Sequence, residues 1–310
     1  MKTILVATVK PFAGAAKEEI VNEAAKAGYE VRFLEKYADE DALCQSVGSA
    51  DALIVRSDKV TPRVVEAASE LKIVVRAGAG YDNLDLDALK AKSIVAMNTP
   101  GQNAGGVAEL AVAMLIFMMR NRFEKGTGFE IEGRRIGLHG FGAVARLFAA
   151  KCIALGMEAS AYDPFVNDDA IRSAGVEPVH SLEELYGSCD AVSIHVPALP
   201  STIGCVNYDL LSRMKSAGRC VVLNTARAEV VDMDGLYRAL QENPALCYAT
   251  DVIDAEKWDA FSEAFGTRVW ADKQKIGAQT EESNIRAARA AARQIVDFFE
   301  NGTTKYQLNK

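Results

Sequence analysis

Short β-branched runs alternate with longer segments of helical period through most of this chain, and that alternation leaves few folds open to it. Strands buried on both faces read as continuous apolar runs, and parallel strands need a long crossover, usually a helix, to join them. The pattern predicts an α/β protein with helices on both faces of parallel sheet. In the first hundred residues the strands fall at 4–9, 30–34, 52–56, 73–76 and 94–98, with helices such as 14–27 and 62–70 between them. A second series, forming a separate sheet, includes 136–139, 158–162, 191–196, 220–224, 247–252 and 268–270. Between the two lies 104–120, apolar on nearly every face except at Glu109. A helix of that kind has to be buried, between domains or against another subunit. One long amphipathic helix, 281–300, follows Gly277.

At 310 residues the chain is long enough for two domains, taking ~150 residues per domain as the usual scale. Apolar residues make up 49% and charged residues 25%, an ordinary folded composition that sets disorder aside. The net charge of −7 repels nucleic acid and anionic lipid, so neither is an expected partner. The longest apolar stretch, 110–119, falls short of the ~18 residues needed to cross a bilayer. The run after Met1 is too short for a signal-peptide core and reads as a first buried strand. Six cysteines (Cys44, Cys152, Cys189, Cys205, Cys220, Cys247) are scattered with no C-x-x-C pair, mostly inside apolar runs, as reduced thiols are. The expected location is the cytoplasm, and no metal is called for.

Residues 135–146, RIGLHGFGAVAR, give a strand, a glycine turn and a helix start, the order a dinucleotide fold demands. Gly140 permits the tight turn, Gly142 lets the backbone approach a pyrophosphate, and Ala145 takes the third place, where helix and strand pack closely. Phe141, Ala143 and Val144 complete the cradle, and the pyrophosphate rests on the helix N-terminus. Asp163 closes the next strand, 23 residues beyond Gly140. It would accept from both ribose hydroxyls and repel a 2′-phosphate, which predicts NAD rather than NADP.

Further segments point the same way: VRAGAGYDN at 75–83, NTP at 98–100, SIHVP at 193–197, NTAR at 224–227 and ATDV at 249–252. With the glycine turn, they make the chain resemble the D-2-hydroxyacid dehydrogenases over nearly its whole length. The resemblance implies two doubly wound parallel-sheet domains that close on the substrate. One is a discontinuous, flavodoxin-like substrate domain (residues 1–98 and 281–310), the other a Rossmann cofactor domain (99–280). It also implies that Arg227 binds the substrate carboxylate and polarises the reacting oxygen, a role suited to a permanently charged planar fork. Glu256 falls at the family's acidic catalytic position, although Lys257 follows where the family commonly has proline. By the same resemblance Asp251 accepts from the nicotinamide carboxamide, and His195, Val196 and Pro197 line the adenine side. Thr202, Thr225 and Ala226 complete the cofactor contacts.

The chain departs from the family at the acid/base. The family places a histidine shortly before a Gly-Ala-x-Thr motif, and here 274–280 reads QKIGAQT, with Lys275 at the histidine position. His139, His180 and His195 all lie upstream of Arg227, and none can replace it. Hydride transfer from an alcohol requires a group that takes the hydroxyl proton. A lysine with the ordinary pKa of ~10.4 is roughly 0.1% neutral at pH 7.5, so a half-neutral base needs a fall of ~3 units, about 4 kcal/mol. Burial and the Arg227 charge push that way, and Glu256 would push the other. Alcohol oxidation should therefore rise toward alkaline pH.

Arg56 and Arg76 end neighbouring strands of the first domain, each before a loop of small residues, and both would point into one cleft. The Ala77-Gly78-Ala79-Gly80 segment resembles the family's carboxylate-binding loop, with the last three supplying unpaired N–H groups as an anion nest. The guanidiniums are then left for a second anion, which suits a substrate with a carboxylate at one end and a phosphate at the other. The pattern is similar to family members that oxidise D-3-phosphoglycerate to 3-phosphohydroxypyruvate, the first committed step toward serine, in a short form with lysine at the histidine position. Asn103 resembles a substrate-side polar residue of that group. The helix at 104–120 is the candidate interface of a homodimer, the segment 121–133 is shorter than the family's usual arm, and no regulatory module is expected after Lys310. Two other readings stay open: a dehydrogenase for a plain acid such as glycerate or lactate, and an NAD-sensing protein without chemistry, against which Arg227 and Glu256 argue.

Overall fold

Each apolar run pairs with its neighbours in parallel, and the runs sort into two sheets belonging to two units: Met1–Asn103 with Gln279–Lys310, and Ala104–Ala278. The computed structural model describes residues 1–214, 218–253, 255–272 and 274–310, with only the backbone described at 255–257.

The first unit runs β1 (Thr3–Thr8), α1 (Gly14–Ala25), β2 (Glu30–Glu35), α2 (Glu40–Val47), β3 (Ala52–Val55), α3 (Pro62–Ala67), β4 (Ile73–Arg76), α4 (Leu86–Ala91) and β5 (Val95–Asn98). Its strand order is β2-β1-β3-β4-β5, the flavodoxin-like order expected. The central strands are covered on both sides, which is why they are apolar without a break. Ile4, Val6, Ile54, Ile73 and Val75 pack in one core and Leu5, Ala7, Leu53, Val55 and Val74 in the other.

The second unit follows with α5 (Ala104–Met119), β6 (Arg135–His139), α6 (Ala143–Ala154), β7 (Glu158–Tyr162), α7 (Asp168–Arg172), β8 (Glu177–Pro178), α8 (Leu182–Ser188) and β9 (Ala191–Ile194). It continues with α9 (Tyr208–Leu211), β10 (Cys220–Asn224), α10 (Met233–Glu242), β11 (Leu246–Thr250), α11 (Ala255–Phe265) and β12 (Val269–Ala271). The order β12-β11-β10-β9-β6-β7-β8 grows outward in both directions from β6 and β9, the Rossmann arrangement with one further strand. Ligands of such sheets bind at the carboxyl ends of the strands, beside that reversal.

The reading of α5 needs correction. It was expected to require another domain or subunit for burial, but Ala108, Ala111, Met114, Leu115, Met118 and Met119 are covered by α6 and by β6, β10 and β11 of its own unit. A helix apolar on most faces finds a core to enter wherever a sheet face lies bare, and this sheet supplies one.

The chain then returns to the first unit as α12 (Glu281–Asn301), where Thr280 Oγ1 caps the helix by accepting from Ser283 N–H at 3.2 Å. Ala287, Ala288, Ala291, Ala292 and Ile295 form its buried stripe. The last residues seal the edge of β5: Leu308 N–H donates to Ala96 O at 2.8 Å, and Asn309 accepts from Ala96 N–H at 3.0 Å and donates to Ile94 O at 2.8 Å. Among the described residues, no helix is long and apolar enough to cross a membrane.

Candidate cofactor cradle and active site

The turn from β6 into α6 depends on two glycines for different reasons. Gly140 has φ +94°, and a Cβ there would lie 3.0 Å from Val196 Cγ1 and 3.1 Å from the His195 carbonyl. Only glycine lets the turn pass so close to the exit of β9. A Cβ on Gly142 would meet nothing within 4 Å, and no side chain caps α6, so the space at the start of this helix is open and its first N–H groups have no side-chain cap. Those N–H groups and the helix dipole favour an anion. Asp163 braces the turn: its Oδ2 accepts from Phe141 N–H at 2.8 Å and its Oδ1 from Phe165 N–H at 2.9 Å. A carboxylate has about four acceptor sites, so two remain for ribose hydroxyls.

His195 N–H donates to His139 O at 2.8 Å, just past β9. The ring Nε2 of His195 is buried with no partner, and burial, helped by the neighbouring His139, pulls its pKa down to about 3. Burial likewise pulls His139 down to about 4, against the opposing charge of Asp163, with its Nδ1 3.2 Å from Tyr186 OH. Both rings are neutral at pH 7, as befits packed residues rather than an acid/base. Thr202 folds the following loop, Oγ1 donating to Pro197 O at 2.5 Å and accepting from Leu199 N–H at 2.8 Å. His180 is exposed, its Nε2 3.9 Å from Asp168.

A second group of the predicted residues follows the carboxyl ends of three adjacent strands, β10, β11 and β12. Asn224, the last residue of β10, accepts from Ala226 N–H at 3.0 Å and donates to Arg227 O at 2.9 Å, so Thr225, Ala226 and Arg227 wind around one carboxamide. Arg227 Nη1 donates to Ala226 O at 2.8 Å, and Thr225 Oγ1 is buried with no partner. From β11, Thr250 Oγ1 lies 2.8 Å from both the Asn224 and Val252 carbonyl oxygens and accepts from Val252 N–H at 2.9 Å. Asp251, 2% exposed, accepts from Gly277 N–H at 2.8 Å through Oδ2, while its Oδ1 is buried without a partner. Burial raises its pKa, against the Gly277 N–H and the positive charge of Lys275. Lys275 itself is exposed, in the segment after β12, which corrects the burial expected of it. Glu256 is the second residue of α11, and its side chain lies outside what is described.

A dinucleotide fits this set. Buried polar atoms are rarely left unpaired, yet Thr225 Oγ1, Asp251 Oδ1 and His195 Nε2 lie unpaired in the strand-end loops of the unit whose α6 presents an open anion cradle. Among the described residues no cluster of three His, Cys, Asp or Glu side chains forms a metal site.

In the first unit the backbone nest needs correction. The β4 ladder continues through Ala77, whose N–H donates to Val55 O at 2.8 Å, and Gly78 N–H folds back onto Arg76 O at 2.9 Å. Of the three N–H groups expected to form the nest, those of Gly78, Ala79 and Gly80, the first is therefore spent inside the loop, while Ala79 is exposed. Gly78 serves instead as a platform: a Cβ there would lie 1.7 Å from Arg76 Nη1, so the guanidinium rests on the bare α-carbon. Arg76 Nε donates to Arg56 O at 2.9 Å, and Arg56 Nη2 to Asn284 Oδ1 at 2.6 Å, which ties the two loops together. Asn103 closes the first segment of this unit, half-buried just before α5. Asn224, Thr250, Gly277 and Asn284 were not singled out from the sequence. The first three lie within or beside the motifs NTAR, ATDV and QKIGAQT, but their partners become visible only once β10, β11 and the loop after β12 are neighbours.

A model of the D-isomer specific 2-hydroxyacid dehydrogenase NAD binding domain matches residues 112–273, just over half of the chain. The crystal structure of NAD+-bound 3-phosphoglycerate dehydrogenase from Entamoeba histolytica is 42% identical with a TM-score of 0.89, and the match covers 100% of this chain and 99% of that one. The D-3-phosphoglycerate dehydrogenase of Rattus norvegicus is 34% identical over 278 residues, 83% of this chain and 50% of its own length. That of Archaeoglobus fulgidus is 32% identical over 306 residues, 94% of this chain and 57% of its own length. The chain spans about half the length of these curated relatives.

Proposed function

Because the chain belongs to the D-isomer specific 2-hydroxyacid dehydrogenase family, we propose that it oxidises D-3-phosphoglycerate to 3-phosphohydroxypyruvate with NAD, in the direction of serine synthesis, as a cytoplasmic homodimer. One observation carries the reading: Arg227, Asp251 and Lys275 follow the carboxyl ends of the adjacent parallel strands β10, β11 and β12, in the unit whose α6 N-terminus is open for a pyrophosphate. NAD, when bound, supplies the hydride acceptor. Asp163 takes its ribose hydroxyls, and the free Oδ1 of Asp251 accepts from the carboxamide. The guanidinium of Arg227 binds the substrate carboxylate and polarises the reacting oxygen. Lys275 takes the hydroxyl proton as an amine and returns one as an ammonium in the reverse direction, with Glu256 as its acidic neighbour. Arg56 and Arg76 hold the phosphate, with Ala79 and Asn103 beside the substrate. The names of the relatives that match most of this chain support the phosphorylated substrate.

The test is NADH oxidation by the purified protein with 3-phosphohydroxypyruvate, hydroxypyruvate and pyruvate. The phosphorylated acid should be favoured at least about tenfold in kcat/KM, and Lys275→Ala should lower kcat by about a hundredfold or more while still binding NADH. Preference for a plain ketoacid would overturn the substrate assignment. An alcohol-oxidation profile that rises with a midpoint near the ordinary histidine value of ~6.5 and is flat from there to pH 10 would exclude Lys275.

A further inference from the structure

A guanidinium carries a full charge and five N–H donors, and one drawn partly out of water normally meets a carboxylate. Arg56 is half-buried beyond the end of β3, yet the group that holds it is a neutral carboxamide, Asn284 Oδ1, at 2.6 Å. Among the described residues Arg56 forms no ion pair. Asp58, two positions on, bonds Val9 N–H (2.7 Å) and Tyr37 OH (2.8 Å) through its Oδ1, and acts on Arg56 only through its charge, without forming an ion pair with it. The Phe12 ring lies 5.1 Å from the guanidinium carbon and supports its plane. Asn284 is fixed in turn: its Nδ2 donates to Thr280 O at 2.8 Å, which leaves Oδ1 as the end that meets Arg56. The anchor is therefore rigid and uncharged, set at the start of a 21-residue helix.

We propose that Asn284 is a positioning residue that selects the substrate: its carboxamide aims the Arg56 guanidinium without neutralising it, keeping the charge for the phosphate of a phosphorylated 2-hydroxy acid. This rests on the function proposed above for Arg56. A carboxylate there would lose the bond to Thr280 O, since it cannot donate, but would still reach the guanidinium, cancel its charge and repel the phosphate. The difference between amide and acid at residue 284 then sets the preference between phosphorylated and plain substrates.

The experiment compares Asn284→Asp, Asn284→Ala and Arg56→Leu in the full chain, reading KM and kcat separately with 3-phosphohydroxypyruvate and hydroxypyruvate. Asn284→Asp should raise KM for the phosphorylated acid about tenfold or more, chiefly through KM, and lower its preference over hydroxypyruvate to match. Asn284→Ala, which removes the anchor without adding charge, should raise it about threefold. An acid near the start of a helix suits the helix dipole, so Asn284→Asp should fold, and its urea midpoint verifies that. Equal effects of Asp and Ala, or none from either, would overturn the role of Asn284. If Arg56→Leu leaves KM for the phosphorylated acid unmoved, the phosphate site itself is wrong. If Arg56→Leu moves it and Asn284→Asp does not, only the present inference is wrong.

Discussion

The two packed histidines make the second unit sensitive to mild acid, by an amount that follows from their surroundings. His139 has a pKa of about 4 and His195 of about 3, both pulled down by burial from the ordinary value of 6.5. The unfolded chain therefore binds protons that the fold refuses, so stability is whole above pH 6.5 and is lost as pH falls toward 4 for His139 and toward 3 for His195. At pH 5 an ordinary histidine is roughly 97% protonated and one with a pKa of 4 roughly 9%, which costs about 2 kcal/mol of stability per ring, or about 4 for the pair. Both tryptophans, Trp258 and Trp270, belong to the same unit, so urea unfolding followed by their fluorescence reports on it alone. The wild-type chain and His139→Asn are to be unfolded at pH 8 and pH 5. Whatever the substitution costs at pH 8, the loss between the two pH values should be about 2 kcal/mol smaller in the variant, because carboxylates titrate alike in both. Equal losses would mean that the His139 ring is protonated in the fold, and the reasoning that removes it from the acid/base chemistry would fail.

The two glycines of the cradle should separate folding from binding. Gly140→Ala, at φ +94° and against the exit of β9, should cost about 2 kcal/mol or more in urea unfolding. Gly142→Ala, whose Cβ enters open space, should stay within about 1 kcal/mol of the parent and weaken NADH about tenfold in a fluorescence titration; unimpaired NADH binding would place the pyrophosphate elsewhere. Asp163→Asn keeps an acceptor for one of the two N–H groups of Phe141 and Phe165 but removes the charge. The preference for NAD over NADP in kcat/KM should fall about tenfold, and an unchanged ratio would show that Asp163 only shapes the turn.

Most of the fold was legible because its strands are buried on both faces and so have to be apolar throughout. The limits of β4, β7 and β10 match the predicted ones, and other strands shift by a residue or two, where hydrogen bonding stops before hydrophobicity does. What the pattern misses is short or polar. β8 has two residues, Glu177–Pro178, too few to show a period, and the C-terminal seal on β5 works through Asn309, whose side chain bonds two backbone groups with no apolar signal. The burial of α5 was read correctly as a need but not as an address: periodicity shows that a face must be covered, and only the topology says by which strands.

The same division runs through the site. Gly140, Gly142 and Asp163 stand in a motif whose chemistry depends on local spacing, and Arg227 and Asp251 in segments that the family resemblance carries, so a linear reading proposes them. The groups that hold them meet across long stretches of sequence: Asp251 and Gly277 are 26 residues apart, Arg56 and Asn284 228 apart. No local period encodes such a pair. The anion nest shows the converse, since a run of small residues promises free N–H groups but a tight turn consumes that of Gly78, the first of the three, before a ligand could use it. If Arg56 holds the phosphate as proposed, its guanidinium can discriminate only as far as its neighbours leave its charge uncancelled. On that proposal the residue that sets selectivity is the neutral one behind the arginine, Asn284, which carries no charge for a sequence reading to notice.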